Sequence, residues 1–384
     1  MLAIMYCLPT KFKNNMQRIL LFAVVFMFIL GCEEKEQSSN SVDGEYIQFL
    51  NALEHLKVDQ VLVIDDENSS IYNPHKLVVD NSGNVIVVDH SNWSLHLLNM
   101  FGEVQDVSGG LGEGPGEFGQ INHLEVGSDG NLYVLDLRLQ RVSIFSIDST
   151  SLNYQYSRIL QNYSSYRIHS IHLTDNEGLV GVFRERLSSD TQCQPFYVYT
   201  LQSDLTMDER LFEMPCNETF LVGGQVQNNE LGYLTYWTFD NKNLYYSRSD
   251  EFSFQTVNLA EDREQIYKVN DVPVFKNEGI VQDAILERME LVAQVYPTFE
   301  EEVKAIEDLT LFVSFIVDQN FVYYSVFSPL PKPGKVLQIE KESGEIKAID
   351  VPSDFVLNGV HEEILFGIDH DKDGSKIVFV NFER

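Results

Sequence analysis

Residues 112–136 read GEGPGEFGQINHLEVGSDGNLYVLD. The first part contains Gly114-Pro115-Gly116-Glu117-Phe118-Gly119, a literal G-x-G-x-x-G. A dinucleotide loop of that form leaves a strand and enters a helix whose N-terminus faces the phosphate. Here the glycines lead into 121–126, where apolar and polar residues alternate as in a strand, and then into an Asp-Gly turn and a second strand. Glu113 and Glu117 would repel a phosphate, and there is no P-loop lysine. The glycines are therefore read as the link between two strand-rich units, where they supply positive-φ positions.

Working outward, the stretch has a partner. Residues 77–99, LVVDNSGNVIVVDHSNWSLHLLN, align with 124–146, LEVGSDGNLYVLDLRLQRVSIFS. Leu77 falls on Leu124, Gly83 on Gly130, Asn84 on Asn131, Val87 on Val134 and Asp89 on Asp136, a period of 47 residues. Each copy reads strand, Asx-Gly turn, strand, polar turn, strand. Weaker hairpins centre on 170–183, 234–246, 311–327 and 364–382, which makes six. Six such units at this spacing predict an all-β, six-bladed β-propeller with four-stranded blades.

The C-terminal unit shows two clear strands, 363–369 and 376–382, so ring closure is expected to recruit 45–65. In that segment Tyr46 to Leu50 and Gln60 to Ile64 read as strands, the second as a buried run. Residues 280–295 and 298–306 have helical spacing, the latter opening on a Thr298/Glu301 capping box. They form an expected helical insertion between blades four and five.

Asp136-x4-Arg141-Val142-x-Ile144-Phe145, preceded by Asp129-Gly130-Asn131 and Gly-Pro-Gly-Glu-Phe, resembles an NHL-type blade. At the N-terminus, Lys11, Lys13 and Arg18 precede an apolar run ending in Ile29-Leu30-Gly31-Cys32, which resembles the lipobox of bacterial lipoproteins. Together these features resemble the six-bladed β-propeller lipoproteins of Gram-negative envelopes. The resemblance implies a signal peptide over 1–31, a lipidated Cys32 with a polar tether over 32–44, and a propeller over 45–384. Met16 would start a signal of ordinary length on its own. It also implies an outer-membrane protein, exposed at the cell surface if the acidic run 33–36 acts as an export signal.

Charge narrows the partners. The chain carries 58 acidic residues and a net charge of −31, which cleavage after Gly31 would make −34 because three basic residues are lost. Such a surface repels nucleic acid and anionic lipid, so contact with the membrane is expected only through the anchor. After cleavage and lipidation, Cys193 and Cys216 are left as a disulfide or two buried thiols.

No catalytic set stands out. There is no G-x-S-x-G elbow. Asp369-His-Asp371-Lys-Asp373-Gly374 matches half of a calcium loop, but Val380 stands where a glutamate is required, so a hairpin turn is expected. Propeller lyases of the NHL type hold zinc with histidines at the start of inner strands, and Asn73-Pro74-His75 resembles that signature. Carried forward, His75 falls on Asn122 and on Ser170, with His123, His169 and His172 beside the register. Neither a metal nor a cofactor is expected on that count. His75, Asn122, His123 and His169 are the candidate channel residues. Trp93, Trp237, Tyr236, Tyr245 and Tyr246 are read as inter-blade core or as a stacking face. The function expected is a non-enzymatic module that binds an envelope protein, a peptide or a glycan. The alternative is a metal-dependent lyase or hydrolase near His75.

Overall fold

The computed structural model describes residues 45–384, apart from 66–68, 164, 175–177, 186–194, 223–224, 229–232, 241, 260–262, 270–271, 274, most of 277–308, 328–333 and 372–373. The signal peptide, Cys32 and its tether, Cys193 and most of the expected helical insertion lie outside the described residues. Within the insertion, Ile285 and Val303 are buried against a core cluster.

Six antiparallel sheets form the ring. Their innermost strands are Pro74–Val79, Ile121–Val126, Tyr166–Leu173, Thr235–Phe239, Phe312–Val317 and Phe355–His361. Neighbouring inner strands adjoin and surround a central axis. Alternation within each strand sends apolar side chains to both faces of a blade, where they meet the next blade. Six apolar clusters result, one for each blade-to-blade interface. Between blades one and two, Val88, Leu95 and Leu97 pack on Phe118, Leu132 and Phe145.

The 47-residue period has a structural cause. Asp89 and Asp136 end the second strands of blades one and two and are fully buried. Asp89 accepts hydrogen bonds from the backbone N–H groups of Tyr72, Asn73 and Ser91 at 2.9, 3.2 and 2.8 Å. Asp136 accepts a matching set from Gly119, Gln120 and, one residue further along than in blade one, Leu139 at 2.7, 3.3 and 2.8 Å. In blade six Asp369 accepts from Asp354 N at 3.2 Å, and in blade four Ser249 Oγ accepts from Leu234 N at 2.8 Å.

The glycine-rich stretch contains no helix. Gly116 has φ +75°. The Glu117 carboxylate accepts from Gly114 N at 2.8 Å, and the Arg141 guanidinium donates to the carbonyls of Glu113, Gly114 and Glu117. The loop is filled by its own chain and serves as the link between blades one and two.

Closure follows the expected principle with a different division of strands. Val58–Ile64 pairs antiparallel with Gly374–Phe382, so the N-terminal segment does complete blade six. It supplies one strand rather than two, because Phe355–His361 is the inner strand of that blade. The sequence hid this strand because a bulge between Leu357 and Gly359 breaks its alternation. Val61 and Val63 are 44% and 46% exposed, so Val58–Ile64 is an outer edge with one wet face rather than a buried strand. Tyr46 to Leu50 lies in a helix, Glu45–Ala52, and not in a strand. Tyr46, Ile47 and Leu50 share one helical face, whereas a strand would have placed Gln48 beside Tyr46 and Leu50. That face packs on Phe252, Phe275 and Phe312. Between helix and edge strand, Glu54–Leu56 adds in parallel to Ile346–Val351, giving blade five a fifth strand.

One further element was not anticipated. A hairpin, Thr219–Val222 with Gln225–Asn228, stands between blades three and four. Of the two states expected for Cys216, the disulfide is the one found. The half calcium loop is a hairpin in which Asp371 faces Gly374.

Candidate functional site

In blades one, two and three the inner strand carries one β-bulge, and the extra residue is His75, Asn122 and His169 respectively. These positions are 47 residues apart, so His169 and not Ser170 is the equivalent of His75. The sequence register was one residue off in blade three. A bulge places two residues against one, so the side chains beyond it change face.

The candidates nevertheless do not converge as a set. Asn122 Oδ1 accepts from Leu137 N at 2.9 Å and caps its own blade. His169 lies edge-on to Phe196 and near Trp237, between blades three and four. Burial beside Arg167 and Arg184 lowers its pKa to about 4. His75 is exposed, with its ring centroid 5.2 Å from that of His90. Although one side of the ring meets solvent, the protein packed around the rest of it partly desolvates the imidazole, and with Lys76, His90 and His370 adding positive charge this holds it below the usual imidazole range.

His90 in turn meets the edge of Trp93 at 4.4 Å. Trp93 adopts φ +58°, which turns it out of the strand path. Tyr72, whose backbone is tied to Asp89, is 67% exposed. Tyr72, His75, His90 and Trp93 thus share one end of blade one. The other aromatics singled out from sequence are structural: Tyr245 and Tyr246 are buried, Trp237 packs on Phe196, and Tyr236 packs on Phe312.

A second group lies further along the inner strands, where blades two and three meet. It consists of His123 and Glu125 from Ile121–Val126 and His172 from Tyr166–Leu173, and their ligand-capable atoms all lie within 4.8 Å of one another. Glu125 and His172 are 47 residues apart and occupy the same level of adjacent blades. His123 Nε2 is 3.5 Å from Glu125 Oε2, and His172 Nδ1 contacts the same oxygen. Leu173 N donates to Glu125 Oε1 at 3.2 Å. His172 Nε2 is 2.7 Å from Ser170 Oγ, which also accepts from Trp237 Nε1 at 3.1 Å. The His172 ring stacks on Phe239 at 3.9 Å.

Electrostatics at this group follow from enclosure. Burial pushes the Glu125 carboxyl up, but His172 and His123 outweigh it and hold the pKa at about 2. Burial also lowers His123, against the pull of Glu125. The group therefore presents an ionised carboxylate to a neutral His123 near neutral pH. Of the three, only His123 was among the sequence candidates. The signal that could have found the others is the 47-residue spacing from Glu125 to His172.

The chain is similar in fold to several solved structures. A Bacteroides fragilis protein described as exported shares 12% identity, at a TM-score of 0.50, over 86% of this chain and 98% of that one. A Bacteroides vulgatus protein of a domain family without assigned function is 11% identical at a TM-score of 0.48, covering 86% and 98%. Virginiamycin B lyase from Staphylococcus aureus is 10% identical at a TM-score of 0.46, covering 85% and 99%. No curated protein matches the sequence. Residues 34–329 match the model of a family described as 6-bladed beta-propeller. With more than half of its length inside that model and six blades closed into a ring, the chain belongs to this 6-bladed beta-propeller family.

Proposed function

We propose that the protein is an exported, lipid-anchored propeller that binds a peptide or glycan, free or as part of an envelope protein, at the end of the ring bearing Tyr72, His75, His90 and Trp93. The observation that carries this reading is the cluster itself. His75, His90 and Trp93 meet ring to ring with Tyr72 at the same end of the blade; Tyr72, His75 and His90 are exposed, while Trp93 rests partly buried on the core between blades one and two. Rings with an apolar face and a polar edge suit the stacking surfaces of sugars and peptide side chains. Export and anchoring rest on the apolar run and Cys32.

The competing reading is a metal-dependent lyase or hydrolase centred on His75. Its neighbours, His90, Lys76 and His370, bring no carboxylate. Among the described residues, His75 belongs to no group of three metal-capable side chains.

The test is binding of the full chain carrying Cys32→Ser to peptide and glycan arrays, beside His90→Ala and Trp93→Ala. A ring contact worth about 1 kcal/mol corresponds to roughly fivefold weaker binding per substitution. Ligands that bind both variants as tightly as the parent would move the binding site elsewhere.

A further inference from the structure

The group between blades two and three has a feature that ordinary hydrogen bonding does not explain. His123 Nε2 and His172 Nδ1 are both buried and both within ion-pair reach of one carboxylate oxygen, yet neither makes an aligned hydrogen bond to anything. Buried polar atoms are nearly always satisfied by aligned hydrogen bonds, so two imidazole nitrogens crowded onto one carboxylate oxygen without that alignment call for a reason. The His172 side chain is only 5% exposed.

We infer that His123 Nε2, Glu125 Oε2 and His172 Nδ1 are the protein ligands of a divalent first-row transition metal, zinc in the first instance. Two imidazoles and one carboxylate are the donor set of catalytic-type zinc sites, which leave a position for water or ligand. Ligands on arms of about 2.0–2.1 Å at tetrahedral angles lie roughly 3.3 Å apart. The His123–Glu125 separation of 3.5 Å is close to that value, whereas His172 Nδ1 lies closer to Oε2 than two donors of one ion stand, so the His172 ring would draw back as the ion enters. Purely oxygen-seeking cations such as calcium and magnesium are disfavoured by a site with two nitrogens among three donors.

The surroundings orient each ligand. Glu125 uses Oε1 to accept from Leu173 N, which leaves Oε2 for the metal. Nδ1 coordination places the His172 proton on Nε2, where Ser170 Oγ stands 2.7 Å away as acceptor. Ser170 also accepts from Trp237, and a hydroxyl oxygen can receive both donors. This histidine–hydroxyl partnership is the outer-sphere arrangement that fixes tautomer and ring direction at metal sites. Phe239, stacked on His172, removes its remaining freedom. His172 and Ser170 come from blade three and Glu125 from blade two, so an ion here would also join two blades.

The experiment uses the full-length protein, stripped with chelator and titrated with zinc alone. The expected result is one tightly bound zinc per chain by elemental analysis and calorimetry. Cobalt in place of zinc should give a visible ligand-field spectrum. Glu125→Gln should abolish that spectrum and weaken zinc by more than the ~10–100-fold that losing an outer-sphere partner costs. Ser170→Ala should fall within that ~10–100-fold range while leaving one site per chain. His75→Ala and His90→Ala should leave zinc unchanged, which separates this site from the ring cluster at the end of blade one. Should Glu125→Gln not fold, His123→Gln decides instead. A folded parent protein that takes up no stoichiometric zinc, or a folded Glu125→Gln or His123→Gln variant that keeps it, overturns the assignment.

Discussion

At the scale of single residues, two buried aspartates account for most of the repeat. Asp89 and Asp136 each collect three backbone N–H groups, two of them from the loop that enters their own blade. Burial raises the carboxyl pKa of Asp89, but the bonds from Ser91, Tyr72 and Asn73 more than offset this and hold it below the usual range. Asp136→Ala would leave three donors facing an apolar cavity, and an unsatisfied buried donor costs about 1–3 kcal/mol. The variant is expected to lose at least ~3 kcal/mol in urea unfolding. A loss within experimental error would show that water replaces the carboxylate. At the same scale, Cys32→Ser should release the protein from the membrane pellet after a high-salt wash. Continued full sedimentation would reject lipidation at that residue.

At the scale of elements, closure depends on the segment before blade one. Helix Glu45–Ala52 buries Tyr46, Ile47 and Leu50, and the edge strand Val58–Ile64 buries Ile64 while capping the edge of Gly374–Phe382. Full burial of such side chains is worth about 1.5–3 kcal/mol each. Deleting 33–66 is therefore expected to cost more than about 5 kcal/mol and to expose an unpaired edge that promotes association. Thermal unfolding and light scattering measure both effects. An unchanged melting temperature would mean that the ring holds without its N-terminal strand.

At the scale of the whole molecule, burial of histidines sets the response to acid. Burial lowers the pKa of His96, and lowers those of His169 and His370 to about 4. The unfolded chain takes up protons below about pH 6.5 while these groups in the fold do not. Their contribution is therefore complete above pH 6.5 and is lost as pH falls towards 4. With solvent access discounted, His169 and His370 together amount to roughly 3 kcal/mol, and His96 adds in the same direction. The net charge of −31 does not cancel this, because most carboxylates titrate lower, near pH 4. The melting temperature should fall by roughly 2–3 °C between pH 7 and 5, because only part of that energy is lost by pH 5 and a chain of this size shifts by less per kcal/mol than a small domain. A flat profile across that interval would show the imidazoles to be accessible to protons in the fold.

What the sequence determined by itself is the part governed by near neighbours along the chain. Period-two alternation, the Asx-Gly turns at Gly83 and Gly130 and the paired Asp89 and Asp136 announce hairpins, and six hairpins announce a propeller. The glycine stretch was legible for the same reason, since whether a strand or a helix follows is a local matter. Tertiary structure decided the rest. Only the closed ring shows that Phe355–His361 is a blade strand, that Val61 and Val63 face water, and that Tyr46 belongs to a helix packed on Phe275. Counting 47 residues on from Asn122 reaches His169, so the match of His75 to Ser170 was a slip of one residue, and the bulges that set His75 and His169 apart from the pairing of their strands expose it. His123, Glu125 and His172 meet because two inner strands a full blade apart in sequence are pressed together around one axis. Periodicity records which face of a strand a residue takes, and the packing of blades determines what that face meets.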